Sequence, residues 1–342
     1  MNEKLLAKNM RRFFSAVVAT TVVLGLLNWE YEKNIEKPID KNDTTNISFT
    51  VKKGTPAKEI GKNLEEKGLI SSSFSFYLYT KFNSLSKDLI AGRFLLNRSM
   101  SVEEVVTIMS DPSQAEFIIT IQEGLRTRDI DAKLVELKLI EGGEFLEEVR
   151  NFDGWEYYDF LDKEALSVLN LPVEGYLYPD TYFLDPADFQ PHDLIYTTMD
   201  NFENKTTELL PKIKNHSIHE IITMASIIEN EVFGLEDRKI VSGILWKRLE
   251  SGWKLDADAT LLYITDDRKI DATDLNIDSQ YNTRKFAGLP PGPISNPSLE
   301  SIEAAMFPVA TGNWFYLNTL DTGEVIYATS NEQHNANKAK YL

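Results

Sequence analysis

The sequence predicts an α+β chain in three parts: an N-terminal membrane-directed segment, a small strand-helix-helix-strand unit, and a larger mixed unit built around a buried helix. Three observations carry this expectation. Phe13 to Trp29 is an uncharged, mostly apolar run; Ile47, Phe49 and Val51 alternate as a strand ahead of helix-start signals; and Ile221 to Glu231 has the apolar density of a buried helix. The 342 residues, 42% hydrophobic and 26% charged, have the balance of a folded protein rather than of a disordered or multi-span chain. A formal charge of -17 argues against a nucleic-acid face, which must be basic. The absence of cysteine removes disulfides, thiol nucleophiles and the commoner structural zinc sites, and four histidines restrict metal chemistry further.

In chain order, residues 1–12 form a basic tail with Lys4, Lys8, Arg11 and Arg12, and residues 13–29 are the apolar run, followed by Glu30 and Glu32. The positive-inside rule places residue 1 in the cytoplasm and the remainder outside. Asn28-Trp29-Glu30-Tyr31 offers no small-x-small cleavage site, so the run reads as a retained single-pass anchor rather than a cleaved signal peptide. Residues 30–46 are polar and charged around Pro38, a tether composition, and folded structure is expected from Ile47. Gly54 breaks the first strand, Thr55-Pro56 is expected to open a helix with Thr55 as cap, and Ala57, Ile60 and Leu64 give that helix its buried face. Gly68 fits the helix stop, a second amphipathic segment covers Phe74 to Phe82, and Ser101 with Glu104 makes a capping box before Val105, Val106 and Met109.

Sliding the chain by 70 residues places Thr50, Gly54, Ile60, Leu64, Leu69 and Ile70 on Thr120, Gly124, Ile130, Leu134, Leu139 and Ile140, so strand and helix positions recur in phase. Glu144 to Leu169 is helical with a break at Gly154, and Leu171 to Tyr182 carries two prolines and a glycine, a loop composition.

The helix containing Ile221 to Glu231 bears two carboxylates whose places follow from a turn of about 100° per residue. Glu229 falls inside the apolar arc of Ile221, Ile222, Ala225, Ile228 and Val232, whereas Glu231 falls roughly 160° away and is expected to be solvated. A carboxyl set in an apolar surface keeps its proton to higher pH, as a general acid must, and this state is expected for Glu229. The competing reading pairs Glu229 with a cation such as Arg238 or Lys247, and periodicity does not decide between them. In the stiff Gln280 to Pro297 loop, Tyr281, Asn282 and Asn296 suit a polar neutral ligand, and Tyr176, Tyr178 and Tyr182 offer flat faces with polar tips, a mixture fitted to sugars. Each can equally close turns or cap the helix that starts near Ser298. His219-Glu220 lacks the second histidine of a zincin at Thr223, no Gly-x-Ser-x-Gly elbow occurs, and Gly61-Lys62 lacks the P-loop pattern.

Taken in order, Ile121-Gln-Glu-Gly-Leu125, Glu174-Gly-Tyr-Leu-Tyr-Pro-Asp-Thr-Tyr182, Ala225-Ser-Ile-Ile-Glu-Asn-Glu231, Asp258-Ala-Thr-Leu-Leu-Tyr263, Tyr281-Asn-Thr283 and Gly288-Leu-Pro-Pro-Gly-Pro-Ile-Ser-Asn-Pro297 resemble the signatures of the MltG (YceG-like) endolytic murein transglycosylases. The resemblance implies a single-pass protein of the bacterial inner membrane, a LysM-like domain at residues 47–111 and a catalytic domain at residues 112–342 on the outer face. It implies Glu229 as the catalytic acid, and Glu174, Tyr178, Asp180, Tyr182, Asp258, Thr260, Tyr281, Asn282 and Asn296 as substrate-binding positions. The implied substrate is the peptidoglycan glycan strand, the implied neighbours are peptidoglycan synthases, and no metal or organic cofactor is implied. The sequence departs from the pattern at Ala259 and Arg284 and lacks a His-rich turn in Glu324 to Asn335. The implied reaction cuts between N-acetylmuramic acid and N-acetylglucosamine without water and leaves a 1,6-anhydromuramoyl end, so one carboxylate suffices if the substrate's acetamido group assists. Recruitment of Asp258 or Glu174 as a second carboxylate makes the protein a muramidase-type hydrolase instead. A non-catalytic, membrane-anchored wall-binding or scaffold protein is the third reading.

Overall fold

The structure, a computed structural model, describes residues 33–52, 54–184, 188–265 and 270–342, with Gly25 and Tyr31 ahead of them. Apart from Gly25, the expected anchor at residues 13–29 lies outside the described residues. Among those described, no helix is long and apolar enough to cross a membrane. The chain divides into two units, the first running to Ile118 and taking back Phe183–Asp188, the second comprising Ile119–Tyr182 and Phe189–Leu342.

In the first unit β1 (Ile47–Val51) and β2 (Gly92–Leu96) are antiparallel, with Ile47 opposite Leu96 and Val51 opposite Gly92. Two helices, α1 (Ala57–Glu66) and α2 (Ser73–Phe82), lie between them in sequence, which is the strand-helix-helix-strand order expected. Phe49, Ile60, Leu64, Phe76, Phe94 and Leu96, joined by Val105 and Met109 of α3 (Val102–Met109), form one buried cluster. Gly68 ends α1 with φ +66, a left-handed conformation that a side chain disfavours. The Ser101–Glu104 capping box forms in both directions. Thr55 does not cap α1: its hydroxyl donates to the Lys52 carbonyl, and the helix starts one residue past the proline. The expected tether also departs from expectation, because Ile35 enters the core of this unit with Tyr31 against it, and Asp43 accepts from the Ser99 amide. A single apolar side chain in a polar stretch is enough to dock it, and composition averages conceal such a residue.

The second unit begins along β3 (Phe117–Thr120), which pairs with β4 (Thr181–Leu184). Gly124 at φ +76 and α4 (Thr127–Glu136) follow, with Ile130 and Leu134 buried. The bounds of α1 and α4 are offset by the 70 residues read from the sequence, and Gly54 and Gly124 are both left-handed. Past α5 (Glu144–Arg150), the short α6 (Lys163–Leu166) and α7 (Pro191–Thr206), the chain enters the helix expected to carry the chemistry, α8 (Ile218–Glu231). A Ser217–Glu220 capping box starts α8, and Ile221 through Glu229 are all buried. It packs against α9 (Leu235–Glu250), α10 (Asp258–Thr265) and α11 (Leu299–Met306). The hairpin of β5 (Phe315–Asn318) and β6 (Val325–Ala328), with α12 (Asn331–Tyr341), completes the unit.

Candidate active site

The two acids of α8 both differ from expectation in their surroundings. Glu229 is buried, but among polar partners: Oε1 accepts from Arg238 Nη2 at 2.7 Å, and Oε2 accepts from the Ser298 amide at 2.8 Å and its hydroxyl at 2.5 Å. Arg238 is buried as well and also donates to Ser298 Oγ, to Glu300 and to the Val232 carbonyl. Glu229 therefore ties α8 to α9 and to the start of α11, which is the paired reading and not that of an isolated acid. The expectation that it stands free in an apolar pocket is corrected by this network, because the groups that neutralise it come from segments 9 and 69 residues away.

Glu231, expected in solvent, is half-buried instead. The far side of the helical wheel is covered by β5, where the Tyr316 hydroxyl donates to Glu231 Oε2 at 2.9 Å and Asn318 Nδ2 donates to the Glu231 carbonyl at 2.6 Å. Burial pushes its carboxyl up to about 7, and neighbouring Asp258 adds to the rise, whereas the Tyr316 hydrogen bond and Arg284 oppose it. A carboxyl with this value holds its proton for a large part of the time near neutrality and gives it up readily, the requirement for an acid that later acts as a base.

Glu231 stands where two cavities meet. One, of 490 Å³, is lined by Gly124, Arg126, Asn230, Ala259, Tyr263 and Ile294; the other, of 610 Å³, by Arg248, Asp256, Arg284, Tyr316, His334 and Lys338; Glu231, Asp258 and Asn318 border both. An acid between two recesses suits a chain that extends past it in both directions. Asp258, exposed at the rim, is paired with Arg284 Nε at 2.6 Å. Among the described residues, no three His, Asp or Glu side chains converge as metal ligands.

Of the expected substrate-binding positions, Asp258 alone borders these cavities. Glu174 is 1% exposed, and its Oε1 accepts the Thr127 amide at the first turn of α4. Asn296 is a latch: its Oδ1 accepts the amides of Gly175 and Leu177, and its Nδ2 donates to the Leu125 carbonyl. Asn282 closes its own loop through the carbonyls of Leu275 and Ile277, and Thr260 is buried against Thr283 and the Ala257 carbonyl. The Tyr182 hydroxyl donates to the Tyr178 carbonyl and takes a bond from Asn201, which also holds Asp180. Tyr281 packs its ring against Tyr263 at 5.0 Å, with Tyr263 nearer the cavity. Side chains suited to sugars are equally suited to backbone amides and carbonyls, and the Pro- and Gly-rich loops left many of those unpaired. Sequence reading did not foresee that Glu231 would stand here with Tyr316, Asn318 and Asn230 about it. The one signal for the first three was the spacing of Tyr316 and Asn318, two residues apart on one strand face.

Residues 49–340 match the model of the YceG-like family. A protein of Bacillus subtilis named endolytic murein transglycosylase is 28% identical over 91% of this chain and 89% of its own length. One of the same name from Streptococcus pneumoniae is 29% identical over 93% of this chain, which spans 62% of that longer protein. The crystal structure of a YceG-like protein from Listeria monocytogenes superposes with a TM-score of 0.69 at 28% identity, covering 85% of this chain and 98% of that one. With a single family model spanning both units and the helix that carries Glu229 and Glu231, the chain belongs to the YceG-like family.

Proposed function

We propose that the chain is an endolytic murein transglycosylase in which Glu231 serves first as general acid and then as general base. The observation that carries this reading is a carboxyl raised to about 7 at the junction of two cavities, with Oε2 held by Tyr316 at 2.9 Å and Oε1 reached only by the Ala259 amide at 3.5 Å. Protonated Glu231 donates to the glycosidic oxygen between N-acetylmuramic acid and N-acetylglucosamine as the bond to the anomeric carbon breaks. The carboxylate then takes the proton of the muramoyl C6 hydroxyl, whose oxygen closes on the anomeric carbon, and no water is consumed. Asp258, matched by Arg284, contributes field more than nucleophilicity in this reading: its charge adds to the burial that favours protonated Glu231. Named relatives that share most of the chain support the reaction class.

The finer parts of the reading follow from the sequence. Residues 13–29 are the anchor, the catalytic unit lies on the outer face of the cell membrane, and the strand-helix-helix-strand unit is LysM-like. A strand-terminating enzyme so placed works beside the peptidoglycan synthases. The test is mass spectrometry of muropeptides released from purified peptidoglycan by residues 31–342, wild type beside Glu231→Gln and Glu229→Gln. Anhydromuramoyl ends from the wild type, and none from Glu231→Gln, support the proposal. Reducing ends indicate a hydrolase using Asp258, and an inert but folded wild type indicates a scaffold.

A further inference from the structure

The Glu231 side chain is held by one strand at two points, which bears on which of its oxygens carries the acidic proton. Tyr316 and Asn318 stand two apart on β5 and so project to the same face. Tyr316 donates to carboxyl Oε2, and Asn318 donates to the main-chain carbonyl of the same residue, one of the carbonyls that the end of a helix leaves without an intrahelical partner. Oε1 is differently placed. It accepts a long bond from the Ala259 amide at 3.5 Å, weaker than the 2.9 Å bond from Tyr316 to Oε2.

β5 is itself fixed. Arg248 donates to the Trp314 carbonyl through Nε at 3.0 Å and Nη2 at 2.7 Å, and to the Leu255 carbonyl through Nη1, while its guanidinium lies 5.9 Å from the Tyr316 ring. The Tyr316 phenol is held far from ionisation by burial, with Glu231 opposing its ionisation further, so it remains a donor over the working pH range. A phenol has one proton to donate. With that proton on Oε2, a protonated Glu231 is left with Oε1 as the site of its own.

We propose that Tyr316, with Asn318 bracing the same residue, is a positioning residue that directs the Glu231 proton to Oε1, the oxygen that the phenol does not hold, and stabilises the carboxylate formed when that proton leaves. This inference rests on Glu231 being the acid. Proton balance is kept within the residue: Oε1 gives its proton to the departing glycosidic oxygen, Tyr316 holds Oε2 while the group is anionic, and Oε1 recovers a proton from the C6 hydroxyl. Arg126, Arg248, Asp256, His334 and Lys338 line the same two cavities, and the charged groups that act on Glu231 most directly are Asp258, which favours the protonated form, and Arg284, which opposes it. Neither donates to either oxygen of Glu231 in this geometry, so the choice of oxygen falls to the phenol.

The experiment is steady-state kinetics over pH 5 to 9 with Tyr316→Phe, which keeps the ring and removes one hydrogen-bond donor. The expected result is a kcat lower by roughly 10-fold to 100-fold, a KM within about twofold, and an alkaline limb of kcat moved up by about one pH unit, because a bond that favoured the carboxylate is gone. An unmoved limb, or a loss explained by the unfolded fraction measured by circular dichroism, overturns the proposal. If Tyr316→Phe fails to fold, a fluorinated tyrosine at position 316 keeps the shape and strengthens the donor, and it must move the limb down. Glu231→Gln in parallel separates the two ideas: an active Glu231→Gln removes the acid itself, whereas an inactive one with an unmoved Tyr316→Phe profile removes only the role of Tyr316.

Discussion

At the scale of single residues, two carboxylates separated by two positions have different work, and substitution should separate them. Glu229→Gln leaves the Arg238 guanidinium, 7% exposed, with only the solvent-exposed Glu300 as a charge partner, and an under-compensated buried charge costs up to about 3 kcal/mol. We expect urea unfolding to record a loss of that order while the folded fraction still yields anhydromuramoyl ends. Glu231→Gln should do the reverse, removing roughly 100-fold or more of activity without loss of stability. The wild-type rate should fall as pH rises through about 7, because the protonated acid is lost there. Glu174 supplies a separate pH test. Burial raises its carboxyl to about 7 against an ordinary 4.5, so the stability associated with the protonated form is complete below about 4.5 and is lost as pH rises through 7. Glu174→Gln keeps the acceptor for the Thr127 amide and cannot ionise. It should match the wild type near pH 4 and exceed it at pH 8 by about 2 to 3 kcal/mol, read as the difference between two denaturation series.

At the scale of elements, most of the secondary structure was legible because its signals are local. The capping box at Ser101, the stop at Gly68, the alternation of Ile47, Phe49 and Val51 and the phase shared by α1 and α4 all rest on short-range patterns in the sequence. The cover over α8 was not legible. A helical wheel reports where apolar residues cluster on one helix, but Tyr316 and Asn318 reach Glu231 from 85 and 87 residues downstream, and the Ser298 amide reaches Glu229 across 69. The same non-locality makes fasteners of Glu174 and Asn296, whose partners are main-chain groups 47 and 121 residues away, whereas Asn282 closes its own loop. Gly243 in α9 shows how tertiary approach overrides propensity. Alanine is worth about 1 kcal/mol more than glycine within a helix, yet a Cβ at this position would lie 2.0 Å from the Val309 carbonyl oxygen, a backbone atom that cannot step aside alone. Gly243→Ala should therefore lower the melting temperature instead of raising it. It should also increase amide exchange at Val309, whose N–H bonds the Lys239 carbonyl one turn earlier in the same helix.

At the scale of the whole molecule, the charge is arranged in a way that suits a tethered enzyme. A chain of net -17 concentrates four cations, Lys4, Lys8, Arg11 and Arg12, ahead of the apolar run and places Glu30 and Glu32 directly after it. That asymmetry should orient the chain with its amino end in the cytoplasm, since cytoplasmic flanks retain Lys and Arg. In the proposed arrangement a transglycosylase held by such an anchor would meet glycan at the outer face, and one released from it would not be confined there. The absence of cysteine makes the orientation directly measurable, because a single introduced thiol is the only one in the molecule. Asn42 follows the run at an exposed position, and Asn2 precedes the basic cluster. In intact cells, or in spheroplasts where an outer membrane intervenes, a membrane-impermeant maleimide should label Asn42→Cys and spare Asn2→Cys until the membrane is permeabilised. Equal protection of both positions would place the catalytic unit in the cytoplasm, away from glycan, and the tethered arrangement would have to be abandoned. Labelling of both in intact cells would mean that the run does not separate the two compartments.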